Sequence, residues 1–136
     1  MSKYNAHKIT ADGITFDSKD EYHYYELLKR KRAAGEIDNF ELQPRYTLQE
    51  SFRIDRKLVR AITYTPDFLI YHLDGSLEAV DVKSLGTATQ QGELRKKLFM
   101  YRYADIRLTW ICRNLRHGDH DGWIVYEELK KRRKAR

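Results

Sequence analysis

Pro66-Asp67 and Asp81-Val82-Lys83 stand at the two ends of one stretch, Tyr64 to Ser84, reading YTPDFLIYHLDGSLEAVDVKS. It reads as two strands joined by a turn. Two carboxylates and an ammonium gathered on one sheet make a site for a hard divalent cation beside a fixed positive charge. Such a cation, Mg²⁺ above all, takes oxygen ligands and keeps several waters. It lowers the pKa of a bound water and draws charge from a phosphate. Asp67 and Asp81 supply carboxylates, the Val82 backbone carbonyl supplies a further oxygen, and Lys83 orients the attacking water or stabilises growing negative charge. The bland alternative is a surface ion pair between Asp81 and Lys83, which is common and weak.

Strand side chains alternate, so Asp81 and Lys83 share a face with Leu77 and Ala79, while Val80 and Val82 point the other way. Two charges on an otherwise apolar face are costly unless each has a partner. Whether Asp67 joins them depends on register. A two-residue turn at Asp74-Gly75 pairs Leu73 with Ser76 and leaves Asp67 opposite Val82, on the wrong face. A three- or five-residue loop sets Asp67 opposite Lys83 and diagonal to Asp81, and a bulge at Pro66 does the same. The metal site therefore requires an odd loop or a bulge.

A fourth candidate comes from upstream. In FDSKDEYHYYELLKRKRAAGEI, Asp17 or Ser18 caps a helix running to about Ala34, and Gly35 ends it. Tyr22, Tyr24, Tyr25, Leu27 and Leu28 make one apolar arc, with Glu21 in its middle. A carboxylate facing a core needs a partner. Glu21 is either a metal ligand, directly or through a water, or the last residue of a capping box in which it reaches back to the Ser18 amide.

The remaining elements must hold these parts in place. Residues 1–13 are polar and read as a loose end, followed by a short strand at Ile14-Thr15-Phe16. Residues 39–53, which contain Pro44, read as one or two strands near a sheet edge. Asp55-Arg56-Lys57 is a charged turn, and from Leu58 the chain runs into the central hairpin. Thr87 or Thr89 caps a second helix to about Tyr103, with an apolar stripe of Leu94, Leu98 and Tyr101 and with Lys97 at its edge. IRLTWIC, residues 106–112, is a buried strand, RNLRHGDHDG a loop, Trp123 to Tyr126 a short strand, and a basic helix follows.

A chain of 136 residues with 41% hydrophobic and 12% aromatic side chains is that of one globular domain rather than a disordered segment. Its one cysteine, Cys112, excludes an internal disulfide and fits a reducing, cytoplasmic compartment. No apolar run is long enough to cross a bilayer, and the N-terminus has no secretory h-region. The net charge is +6, and Lys130, Lys131, Arg132, Arg133, Lys134 and Arg136 account for all of it. Such a basic end either contacts nucleic acid through counterion release or solubilises a helix.

The order of the candidate residues resembles the PD-(D/E)XK nuclease superfamily, which has the restriction-endonuclease-like fold. Pro66-Asp67 stands for the first half of the motif and Asp81-Val82-Lys83 for the second, and a helix bearing Glu21 precedes them. The phrases FDSKDEYHYYELLKR, GEIDNFELQPRYTL, AITYTPDFLIY, DVKS and KKLFMYRYADIRL are similar to a family of small phage and prophage proteins described as a domain of unknown function and assigned to that superfamily. The likeness spans about Asn5 to Leu108. It implies an α/β (α+β) fold with a central mixed sheet flanked by helices, in the order α-βββ-α-β. It also implies Mg²⁺- or Mn²⁺-dependent DNA cleavage with Glu21, Asp67, Asp81 and Lys83 as catalytic residues. By analogy with resolvase-type members the DNA is branched or recombining, and the setting is the host cytoplasm among phage replication or recombination proteins. Lys97 matches a basic position that contacts phosphate in this reading, and Ser84 stands where relatives often have Gly.

Two functions follow from the residues and the likeness together. One is a metal-dependent endonuclease, which for junction resolution calls for a homodimer with two sites. The alternative is a non-catalytic DNA-binding or assembly module that keeps the nuclease fold and works through Lys130, Lys131, Arg132 and Arg133. The cluster His117 to Asp121 reads as a solvated loop in preference to a metal site.

Overall fold

The computed structural model describes residues 8–134. Strands β1 (Ile9–Ala11) and β2 (Ile14–Phe16) form a hairpin whose turn residues Asp12 and Gly13 both have positive φ. That is the turn geometry matching strand twist. The expected loose end is thus a paired hairpin from Ile9 onwards, held by an ion pair from Asp12 to Lys29 and by a hydrogen bond from the Tyr25 hydroxyl. The rest of that expectation, residues 1–7, lies outside the described residues.

Helix α1 (Lys19–Ala33) begins where the sequence places it, with the Ser18 hydroxyl accepting from the Glu21 N–H at 3.1 Å. It buries Tyr24, Tyr25, Leu27 and Leu28, and Gly35 ends it at φ 75°. Nine strands and two helices follow among the described residues: β3 (Asn39–Leu42), β4 (Tyr46–Gln49), β5 (Phe52–Ile54), β6 (Lys57–Val59), β7 (Ile62–Tyr64), β8 (Phe68–Tyr71), β9 (Leu77–Val82), α2 (Gln90–Arg102), β10 (Ile106–Arg113), β11 (Trp123–Val125) and α3 (Tyr126–Lys134).

The fold is mixed α+β. Its main sheet has five strands in the order β11-β10-β9-β8-β3, and only β9 and β10 run parallel. Alternation along the strands gives the sheet two apolar faces. Phe40, Phe68, Ile70, Val80 and Trp123 pack with α1. Leu69 and Ala79 pack with Phe99 of α2, and Trp110, Cys112 and Ile124 with Leu129 of α3. Burying both faces explains why FLIY and the middle of LEAVDV are nearly continuous in hydrophobicity. Among the described residues no helix is long and apolar enough to cross a membrane.

Three expectations change. Residues from Leu58 to Tyr64 do not enter the central hairpin. They form, with residues 46–54, a separate ribbon in which β4 pairs with β7 and β5 with β6. The core stripe of α2 is also different. Leu94 and Tyr101 are exposed, at 58% and 89%, while Phe99 is fully buried. Phe99 packs against Leu69 and Ala79 of the sheet, while Arg95 and Arg102 reach carbonyls of the ribbon, Arg95 that of Thr63 and Arg102 that of Leu48. Finally, Tyr126 belongs to α3 rather than to a strand, and the basic helix expected after it runs on to Lys134. Residues 135–136 lie outside the described part.

Candidate metal centre

The β8–β9 hairpin decides the register. Its loop is Leu73-Asp74-Gly75, closed by hydrogen bonds from the His72 N–H to the Ser76 carbonyl (2.9 Å) and from the Gly75 N–H to the His72 carbonyl (3.0 Å). Gly75 takes φ 89°, the left-handed position that a three-residue hairpin loop needs. The Asp74 carboxylate accepts from the Ser76 N–H and hydroxyl, which fixes the turn. The ladder pairs Phe68 with Val80 and Tyr71 with Leu77. One step further, Asp67 stands opposite Asp81. The loop is odd, as the site requires, but it takes in Leu73, so Asp67 meets Asp81 rather than Lys83.

The two aspartates hold each other through the backbone. The Asp67 N–H donates to Asp81 Oδ1 at 2.9 Å, and the Val82 N–H donates to Asp67 Oδ2 at 2.8 Å. The other Asp81 oxygen accepts from the Tyr64 hydroxyl, which in turn accepts from Trp110 Nε1 at 3.2 Å. Asp81 is the one buried charged residue among those described, at 5% exposure. Lys83 Nζ lies 4.0 Å from Asp81 Oδ2 and 4.9 Å from the centre of the Trp110 ring. Lys96 covers the same ring at 4.4 Å and pairs with Glu127 at 2.7 Å. Helix α2 comes close to Trp110 at Gly92, where a Cβ would sit 3.7 Å from the indole.

Glu21 does two things at once. Its carboxylate accepts from the Asp17 N–H at 3.1 Å, so it closes the helix start on Asp17 rather than on Ser18 as the capping box predicts. It also lies beside the Asp67 carboxyl, whose charge it opposes. Burial pushes the Asp67 carboxyl well above the usual carboxylate range, and the negative charges of Asp81 and then Glu21 push it further. Burial likewise raises Glu21, with smaller contributions from Asp17 and Asp81, against hydrogen bonds that lower it. The Tyr64 hydroxyl is held far above its ordinary pKa, first by burial and then by Asp81, so it stays a donor.

These groups line a groove of about 460 Å³ between the first turns of α1 and α2, with Asp17, Ser18 and Glu21 on one side and Thr87, Thr89, Gln91, Gly92 and Arg95 on the other. The helix starts carry partial positive charge and unpaired N–H groups, which favour an anion such as a phosphate. Three acids face one another with Lys83 as the near cation, and oxygen is the only donor atom they offer. That set suits Mg²⁺ or Mn²⁺ and no soft metal. Glu21, Asp67 and Asp81 are not among the ligand sets closer than 4.8 Å; the described group of that kind is Asp119, His120 and Asp121. The Asp119 group lies in a loop, as expected, and Asp119 Oδ1 accepts from the Asp121 and Trp123 N–H groups.

The structure thus brings Glu21, Asp67, Asp81, Val82 and Lys83 to one groove. Lys97 is exposed and not among the groove residues, whereas Arg95, two positions earlier, is. Lys130, Lys131, Arg132 and Arg133 lie on α3, where Lys130 sits over the Tyr126 ring and Arg132 pairs with Glu128. Tyr64, Trp110 and Arg95 escaped the sequence reading. A tyrosine two residues before a proline in an apolar strand carries one usable signal: a buried hydroxyl needs a partner. Trp110, 46 positions downstream of Tyr64, carries none.

A family model described as "Protein of unknown function (DUF1064)" matches residues 1–119. No curated protein and no solved structure matches the chain.

Proposed function

The chain belongs to the DUF1064 family, and we propose that it is a metal-dependent DNA endonuclease of the PD-(D/E)XK superfamily, with a restriction-endonuclease-like core, acting on branched or recombining DNA. One observation carries the reading. Asp67 and Asp81 are locked opposite each other by reciprocal backbone hydrogen bonds, inside a groove that also holds Glu21 and Lys83. Crowding three acids, one buried and two partly buried, beside one lysine is unfavourable for folding. It becomes reasonable when the arrangement serves a cation. In chain order, α1, β3, β8, β9, α2 and β10 also follow the α-βββ-α-β pattern, with the β4–β7 ribbon inserted between β3 and β8.

Asp67 and Asp81 would hold a Mg²⁺ or Mn²⁺ ion, with the Val82 carbonyl and Glu21 completing the set. Such an ion supplies an acidified water and charge neutralisation at the phosphate. The protein does the positioning. Tyr64 and Trp110 keep one Asp81 oxygen aimed and fully hydrogen-bonded, so the carboxylate cannot rotate. Lys83, kept over the Trp110 ring, puts a positive charge beside the groove where a phosphate gains negative charge. Glu21 holds a water for attack on phosphorus, accepting a hydrogen bond from it. In the reaction water adds to phosphorus, one P–O bond breaks, and the departing oxygen takes up a proton. The helix starts and Arg95 offer donors to the neighbouring phosphate oxygens.

The test is a cleavage panel of linear, flap, fork and four-way-junction DNA with Mg²⁺ or Mn²⁺, with and without EDTA. Cleavage that EDTA stops and that Asp81→Ala abolishes is expected. Full activity in Asp81→Ala would sink the site assignment. Tight DNA binding with no cleavage of any substrate would favour the binding or assembly module instead.

A further inference from the structure

The outer half of the inserted ribbon stands apart from the sheets. Strands β5 and β6 pair only with each other, around a turn in which Asp55 and Arg56 both have positive φ. Every residue from Ser51 to Leu58 is exposed. Yet the ribbon is built as one piece with β4 and β7. Past a bulge between Thr47 and Gln49, Gln49 pairs with Ile62 and Phe52 with Val59 in the same register, so the outer part of the ribbon continues from β4 and β7 to the tip. The base is fixed in the core: Leu48 and Tyr64 are buried with Phe99, and Tyr64 bonds Asp81. The tip is free.

The tip is also charged in one sense. Residues 51–60, SFRIDRKLVR, carry Arg53, Arg56, Lys57 and Arg60 against the single acid Asp55. None of the four cations has an acidic partner among the described residues. Arg53 instead bonds the Arg56 carbonyl. Phe52, Ile54, Lys57 and Val59 share one face and Arg53 and Leu58 the other, so each face mixes apolar and basic groups. A membrane or a protein core would ask for one cleanly apolar face. A nucleic-acid groove, with phosphates at its walls and apolar sugar and thymine methyl surface within, suits the mixture.

We propose that residues 51–60 are an arm that grips duplex DNA beside the cleavage site, a statement that rests on the nuclease reading above. The major groove admits a two-stranded β-ribbon. Eight residues separate Tyr64 from Arg56, so the tip reaches about 26 Å from the groove at roughly 3.3 Å per residue. That spans about 8 base pairs at 3.4 Å each. Because the chain leaving the arm runs on through β7 to Tyr64, which bonds Asp81, DNA held by the arm is placed beside Asp81.

The experiment compares wild type with the triple variant Arg53→Ala, Arg56→Ala, Lys57→Ala. Binding of fluorescein-labelled duplex and four-way-junction DNA is followed by anisotropy in EDTA between 50 and 200 mM KCl. Hydroxyl-radical footprints are taken alongside, and thermal melts check the fold. The arm predicts an unchanged melt, a salt slope shallower by about 3, and protection shortened by about 8 base pairs on one flank only. Slope and footprint equal to wild type would overturn the arm while leaving the nuclease reading intact. Wild-type protein that neither binds nor cuts any DNA would overturn both. A second variant, Phe52→Ser, Ile54→Ser, is run by sedimentation. Dissociation of a dimer in that variant, with normal DNA binding by the charge variant, would assign the ribbon to a second copy of the chain and overturn the arm.

Discussion

Asp67→Asn should stabilise the metal-free protein at pH 8 while destroying metal binding. In the folded chain the Asp67 carboxyl titrates far above its usual value of 3.8, because burial, then Asp81 and Glu21, disfavour its charge. A raised folded pKa means that the folded state holds a proton which the unfolded state gives up. The resulting stability is fully present below the unfolded pKa and is lost as pH rises toward the folded one. One proton corresponds to about 1.4 kcal/mol per pH unit. From pH 5 to pH 8 that is a ceiling of roughly 4 kcal/mol, and relaxation of the groove brings it to about 2 kcal/mol, or a Tm change near 8 °C for a chain of this size. Glu21 titrates in the same direction. His23 works the other way: its pKa is lowered by burial and by Arg113, so it favours folding as pH rises through the usual histidine range. The difference between wild type and Asp67→Asn removes the His23 contribution, whereas that of Glu21, which lies beside Asp67, changes together with Asp67. The introduced amide oxygen still accepts from the Val82 N–H, so little else changes. The assay is thermal unfolding followed by circular dichroism in EDTA from pH 5 to 8, repeated with Mg²⁺. Wild type should lose Tm relative to the variant as pH rises, and Mg²⁺ should restore it in wild type alone. Parallel curves in EDTA would refute the claim that the acids crowd one another.

Glu21→Gln should lower cleavage at least tenfold with a melting temperature within a few degrees of wild type, because glutamine still accepts from the Asp17 N–H; a large fall in Tm would assign Glu21 to the helix start instead. Phe99→Ala should cost about 3–5 kcal/mol in denaturant unfolding, since Phe99 is fully buried against Tyr46, Tyr64 and Tyr103. Leu94→Ala, on the stripe that periodicity favours, should cost under 1 kcal/mol. Neutralising Lys131, Arg132 and Arg133 should weaken DNA binding evenly across sequences and flatten its salt dependence by up to 3; an unchanged slope would show that α3 is not a phosphate contact.

Local chemistry made much of this chain legible. Ser18, Gly35 and Thr89 mark helix ends by capping rules that need nothing beyond a few neighbours, and all three stand where those rules put them. Alternation placed Asp81 with Ala79 and Leu77 and against Val80, because the period of a strand is a property of its own backbone. Other features depended on which surfaces meet. Whether the β8–β9 loop takes in Leu73 or Ser76 moves Asp67 from one partner to another, and both loops suit the same turn residues. Leu94 and Phe99 are equally good core residues in a helix pattern. The sheet and the carbonyls of Thr63 and Leu48 chose Phe99 by fixing the rotation of α2 through Arg95 and Arg102. The Tyr64–Asp81–Trp110 chain joins three strands across 46 residues, and the arm rooted at Tyr64 shows itself only once β4 and β7 are paired. The sequence alone determined which residues can carry the chemistry and where the helices begin. Tertiary packing decided which of them face one another, since that depends on registers and rotations that contacts distant in the chain select.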